Sequence, residues 1–257
     1  MEGDLSLKPN EKFEKREMVE NKYAISNGNE EVVLIDGGHA DFSGVISGSD
    51  KKDIAEWHEN DVLTDEADNS DYVSYSDELL TNLSNSGDLK AMKILAIRYS
   101  EKSRKTSDLD QISEFMKKNA ELVEKSIVYG DREFFGIIPE KSKAISQIAS
   151  LGSAPEQKHQ AIIKALAYSE FMALRGDFGA KYEEQKKLYT IYDISSSLTN
   201  EDKNAIKKKA KEIYDHYEAQ RIQLGLGNFD NSVPAGKEKI FKTMRENYRQ
   251  EMGNNAF

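Results

Sequence analysis

The chain has 257 residues, 38% hydrophobic and 32% charged, with a formal net charge of −10 and a mean hydropathy of −0.71. That is enough chain for one large core or two small ones. The acidic balance disfavours general nucleic-acid binding, which needs a basic footprint, and the absence of cysteine excludes disulfides, thiolate metal sites and cysteine nucleophiles.

No run approaches the roughly 18 apolar residues of a membrane helix, and MEGDLSLKPN at the start lacks the basic-then-apolar order of a signal peptide. A removed signal or anchor would leave no trace. A chain without thiols cannot mispair in an oxidising compartment. That fits a periplasmic or envelope location, with the cytoplasm as the alternative. The charge is uneven: residues 1–80 hold 21 acidic and 7 basic groups, so an acidic front precedes a nearly neutral body.

Asn10 is placed to cap a short charged helix, EKFEKREMVENKY, which is too charged to stand alone. Residues 31–47 then read as a β-hairpin. Val33 and Ile35 lie in the first β-rich run, Asp36-Gly37-Gly38 is a turn signal, and Phe42 and Ile46 lie in the second. Two isolated strands are marginal in water, so they must pack on the body or pair with another chain. Residues 50–78 carry 11 acidic groups against Lys51 and Lys52. A few apolar anchors, Trp57 first among them, suit a segment that orders on a partner surface; a solvated linker is the alternative.

From Ser76 onward the pattern is helical. Ser76 caps a run with Leu79, Leu80 and Leu83. Leu89–Lys105 follows, and Ser107 is placed to cap the next helix. There Ile112, Met116, Ala120, Val123 and Ile127 form a stripe of helical period. Pro139–Leu151 and Pro155–Arg175 read as helices that begin at proline, the second with a capping box from Ser153 and Glu156. This second helix is apolar nearly all round, which predicts the most buried position. Asp177–Ile194 is rich in tyrosine. Thr199 and Asp202 open a long helix to about Leu224, stopped by Gly225 and Gly227, and Lys237–Met252 is the last helix. The tail ends in the apolar Phe257.

Gly-Asp recurs at Gly87-Asp88, Gly130-Asp131 and Gly176-Asp177. Glycine takes the left-handed conformation that closes a helix, and aspartate caps the next one. A recurrence every forty-odd residues is a mark of stacked helix pairs.

With SGDLKAMKILAIRYS (Ser86–Ser100), AELVEKSIVYGD (Ala120–Asp131) and ALAYSEFMALRGD (Ala165–Asp177), residues 76–190 resemble Sel1-like repeats, relatives of the tetratricopeptide family. Phe134-Phe135 departs from that pattern, where a small residue is expected. The resemblance implies protein binding on a concave face rather than chemistry. The expected fold is mainly α: repeat-like helical pairs, as an α-solenoid or an irregular bundle, with an extended N-terminal arm carrying a short hairpin. The expected divisions are an acidic arm (1–75), a helical body (76–225) and a C-terminal helix and tail (226–257).

No motif for catalysis is present. His39, His58, His159 and His216 fall in no tight metal spacing. His58-Glu59 with Asp61 is the densest polar group, and a solvated patch beside Trp57 is its simpler reading. Asp61, Asp65, Asp68 and Asp71 lack the glycine and final glutamate of a calcium loop. No phosphate loop or GxSxG occurs. Lys207–Lys209 with Lys211 reads as a solvated helix face. No cofactor or metal is expected.

The expected function is therefore non-enzymatic: a dedicated chaperone or escort for another protein, such as an exported hydrolase or effector. Membrane association would come only through an anchor outside this chain. The alternatives are an immunity or inhibitor protein that occludes a toxin and, in a different class, a carboxylate-dependent hydrolase. Val33, Ile35, Phe42, Ile46, Trp57, Tyr182, Tyr189 and Phe257 are the expected partner-binding residues.

Overall fold

The computed structural model describes residues 47–53, 71–132, 137–150, 152, 154–192 and 198–252. The charged helix after Asn10, the hairpin of residues 31–47 up to Ile46, the Trp57–His58 stretch and the tail lie outside these residues. The described residues belong to the larger of two units into which the chain divides, Val45–Phe257. The structure is mainly helical, and no strand occurs among the described residues.

After a short 3-10 turn (Asp71–Ser74) come α1 (Asp77–Asn85), α2 (Leu89–Lys105), α3 (Leu109–Tyr129), α4 (Pro139–Ala149), α5 (Pro155–Leu174), α6 (Phe178–Tyr192), α7 (Asn200–Gln223) and α8 (Ala235–Met252). Local chemistry sets most ends. Ser76 Oγ accepts from the Leu79 amide, and Thr199 and Asp202 form the reciprocal capping box. Two predicted caps are displaced by one residue. Asp108, not Ser107, caps α3, because its carboxylate accepts from two free amides. Ala154 precedes α5, and the Gln157 side chain reaches back to its amide at 3.4 Å, since Pro155 takes the first helical position.

Four helices end alike. Gly87, Gly130, Gly176 and Gly225 have φ of 95°, 112°, 81° and 73°. At each, the glycine amide and the following amide bond back to carbonyls of the preceding turn: Ser84 and Leu83, Ile127 and Ser126, Ala173 and Met172, Ile222 and Arg221. This is the Schellman closure. At the first and third joints the aspartate then caps the next helix: Asp88 accepts from Ala91 and Asp177 from Ala180, both at 2.9 Å. Asp131 opens no such helix; it is buried, and α4 starts only at Pro139.

α5 is the central helix and packs on α4, α6 and α7. Ala161, Ile163, Ala165, Leu166, Phe171 and Met172 are all buried along it. Sides all round the helix are covered, as its composition predicts. One core cluster joins α4, α5, α6 and α7. A second joins α2, α3, α5 and α7 around Phe171, Tyr217 and Phe229. Half-buried Ile213 touches both. A third, under α1 and α2, holds Leu80, Ala91 and Leu95.

The α3 stripe is only partly core. Val123 and Ile127 are buried, whereas Met116 is 60% exposed. The first half of α3 meets α2 through Phe115, stacked on Tyr99 at 6.1 Å, and through Asn119, which donates to the Ala96 carbonyl at 2.7 Å.

Candidate functional site

The most extensively built polar structure lies where residues 224–234 cross the Gly130 and Gly176 joints. A β-carbon on Gly176 would stand 2.9 Å from Val233 Cγ2 and 3.0 Å from the Asn231 carbonyl, so the strap rests directly on that joint. Arg132 donates to the Asp230 carbonyl at 2.8 Å. Arg221, in the last turn of α7, donates to the carbonyls of Val128 at 2.7 Å, Gly227 at 3.2 Å and Leu226 at 3.2 Å. Arg175, only 1% exposed, donates to Asn231 Oδ1 at 3.3 Å and to the Gly130 carbonyl at 3.2 Å.

Phe229 lies between these two arginines. Its ring centroid is 3.4 Å from the Arg175 guanidinium carbon and 4.6 Å from that of Arg221. Two cations share one π-face system inside the protein, where the attraction is stronger than at an exposed site. Tyr214 meets the ring edge-on at 5.7 Å, and its hydroxyl accepts from Asn231 Nδ2 at 2.7 Å. Arg175 carries no sequence signal of this role, because its partners Gly130 and Asn231 are 45 and 56 residues away in the chain. What the lock leaves outside is apolar: Ile222, Leu224 and Leu226 are 56%, 55% and 36% exposed. A β-carbon on Gly225 or Gly227 would meet nothing within 4 Å. The result is an anchored turn that presents three aliphatic side chains to solvent.

A second polar group sits where α3, α4, α5 and α7 meet. Burial pushes the Glu124 carboxyl up, against the lowering effects of a hydrogen bond from Tyr217 and of nearby His216. Burial likewise pushes the Tyr168 and Tyr217 hydroxyls above the usual phenol range, with the Glu124 charge adding to both. This acid–phenol pair can hold a proton.

A third feature is a groove of about 560 Å³ between α6 and α8. Phe178 and Phe241 form its floor, their rings 5.5 Å apart. Lys239, Lys242, Arg245 and Glu238 line its walls. Asp50, from the helical turn 48–53, reaches its rim and pairs with Lys239 at 2.7 Å. Hydrogen bonds from Lys239 and from the Ser47 amide and hydroxyl hold the Asp50 carboxyl down at about 2.

Of the expected partner residues, Tyr182 and Tyr189 are core side chains, 5% and 6% exposed, not groove linings. Both belong to the cluster around α5. Val33, Ile35, Phe42, Ile46, Trp57 and Phe257 lie outside the described residues, as do His39, His58 and Asp61. His159 pairs with Asp202 at 2.9 Å, tying α5 to α7. His216 contacts Gln220 within α7. Lys207, Lys208 and Lys211 are exposed, and Lys211 pairs with Asp215. Among the described residues, no group of three histidine or acidic side chains is placed to hold a metal.

The architecture thus defines a helical protein with a latched turn and an aromatic, basic groove. Comparison with family models, curated proteins and solved structures finds no match for this chain.

Proposed function

We propose that this chain is a protein-binding protein, a dedicated escort or chaperone whose helical body docks a partner such as an exported hydrolase or effector. The observation that carries this is the anchored turn. A fold that uses three arginines, an asparagine and a phenylalanine to fix residues 224–234, yet leaves Ile222, Leu224 and Leu226 exposed, has built an anchored apolar contact. Clustered exposed aliphatics on a fixed frame mark an interaction surface, and a preformed surface loses little entropy on association. The Gly-Asp joints support a Sel1-like stacking of helix pairs as the frame. The same reading places the protein in the cell envelope, where an escort meets exported clients.

The test is co-expression with the product of the adjacent gene. Copurification, with a raised yield of folded partner, is the expected result. Rescue from partner toxicity without any gain in folded yield would indicate an inhibitor instead. A chain that purifies alone, with unchanged protease sensitivity in the partner's presence, would sink the escort reading.

A further inference from the structure

The α6–α8 groove is basic in an otherwise acidic protein. Its lining carries Lys239, Lys242 and Arg245 against Glu238. Lys242 and Arg245 lie three residues apart, on one helix face. Lys242 is exposed, and Arg245 Nε is a buried donor with no acceptor among the described residues. A buried donor left unpaired costs free energy. Arg245 also lines the groove, where the outer edge of its guanidinium can take a carboxylate in a charge-assisted bond.

The molecule already shows what this rim accepts. Asp50, in a serine-capped helical turn, sits on Lys239 at 2.7 Å, with its Oδ2 also accepting from the Ser47 amide and hydroxyl at 2.7 Å each. One carboxylate on a helical turn therefore fits here, while Lys242 and Arg245 remain for others. The floor is apolar and aromatic: Phe241 approaches so closely that a β-carbon on Gly179 would stand 3.3 Å from its Cε1. A site with aromatic floor and cationic wall takes a peptide that combines acidic groups with an apolar anchor.

We infer that the α6–α8 groove binds an acidic segment of the partner protein, with carboxylates on Lys242 and Arg245 and an apolar or aromatic side chain against Phe178 and Phe241. This rests on the protein-binding reading above and adds the partner's chemistry to it.

The experiment uses the full chain and a fluorescein-labelled peptide in which one tryptophan is flanked by glutamates, read by anisotropy. A lysine version of the peptide and a single-stranded oligonucleotide of matched length serve as controls. The acidic peptide should bind, the controls should not, and affinity should fall as salt is raised. K242E with R245E should weaken binding about tenfold or more, as expected when rim attraction becomes repulsion. The milder Lys242→Gln should weaken it less, and circular dichroism and melting should match the parent.

Equal binding by the double variant, or equal binding of either control, would overturn the inference. So would much tighter peptide binding after Glu56→Gln, Glu59→Gln and Asp61→Asn together, because the chain's own acidic stretch would then be the occupant. If the double variant still copurifies the partner with unchanged affinity, the groove assignment fails and the protein-binding reading stands. If the parent binds the peptide but no partner is ever retained, it is the protein-binding reading that fails.

Discussion

At Gly87 a β-carbon would stand 2.4 Å from Tyr129 Cε1, with φ at +95°. The left-handed conformation alone costs an L-residue about 1–2 kcal/mol, and displacing the ring adds to that. Gly225, at φ +73°, has open space where its β-carbon would be. Gly87→Ala should therefore lose clearly more stability than Gly225→Ala, whose loss should stay near about 1 kcal/mol. Urea unfolding of both variants measures the difference; equal losses would show that the Tyr129 contact carries no strain.

Glu124 makes a second prediction at this scale. Its folded carboxyl titrates above the ordinary value of 4.5, chiefly through burial. The folded state therefore holds this proton more tightly than the unfolded chain does. Below 4.5 both states are protonated and the contribution is fully present. As pH rises through the window between 4.5 and the raised value, the unfolded state ionises first and stability is lost. Glu124→Gln should remove that loss, so the variant should gain on the parent as pH rises from about 4 to about 7. Denaturation midpoints across that range, moving in parallel for both proteins, would contradict it. Asp77 works in the opposite sense. Hydrogen bonds from Lys102 and Arg98 hold its carboxyl below 3.8, so its contribution is present above 3.8 and fades as pH falls.

Among the elements, the strap depends on tertiary contacts more than any helix does. Phe229→Ala leaves both guanidinia without their shared ring and opens a cavity, a loss of about 3–5 kcal/mol for a buried phenylalanine. Phe229→Leu keeps apolar volume and should lose less, and the difference between the two separates packing from the cation–π contribution. Arg221→Met removes three backbone hydrogen bonds while α7 keeps its capping box. The expected outcome is local: limited proteolysis near Gly225–Gly227 should quicken much more than global unfolding. Uniform loosening of all helices would show that the strap is not a separate latch. The helices themselves were largely legible. Proline starts, the Thr199–Asp202 box and the glycine stops depend on neighbours within a few residues. The misses at Ser107 and Ser153 are one-residue shifts, decided by Asp108's better geometry and Pro155's fixed φ.

For the whole molecule, the question is which surfaces remain available. Ile222→Asp with Leu224→Asp should leave stability within about 0.5 kcal/mol, as usual for exposed sites, yet abolish partner retention in the copurification assay. Retention at parental strength would move the contact elsewhere on the body. The expected contact residues Tyr182 and Tyr189 are buried, a state their spacing does not signal, since tyrosine at helical spacing reads the same on a wet face as in a core. Packing in the cluster around α5 buries them. The exposed aliphatics after α7 were missed for the converse reason. A leucine beside a glycine stop reads as an ordinary helix end until it is known that nothing covers it.

The sequence by itself determined the helical class, most helix ends and the recurring Gly-Asp joints, because capping, proline geometry and left-handed glycine act over three to six residues. The tertiary structure alone decided that two of those joints lie beneath one strap, that Phe229 sits between Arg175 and Arg221, and that α8 faces α6 across a basic groove. Those contacts join residues tens of positions apart. Their energies depend on distance and burial in three dimensions, and neither quantity is written in local sequence order.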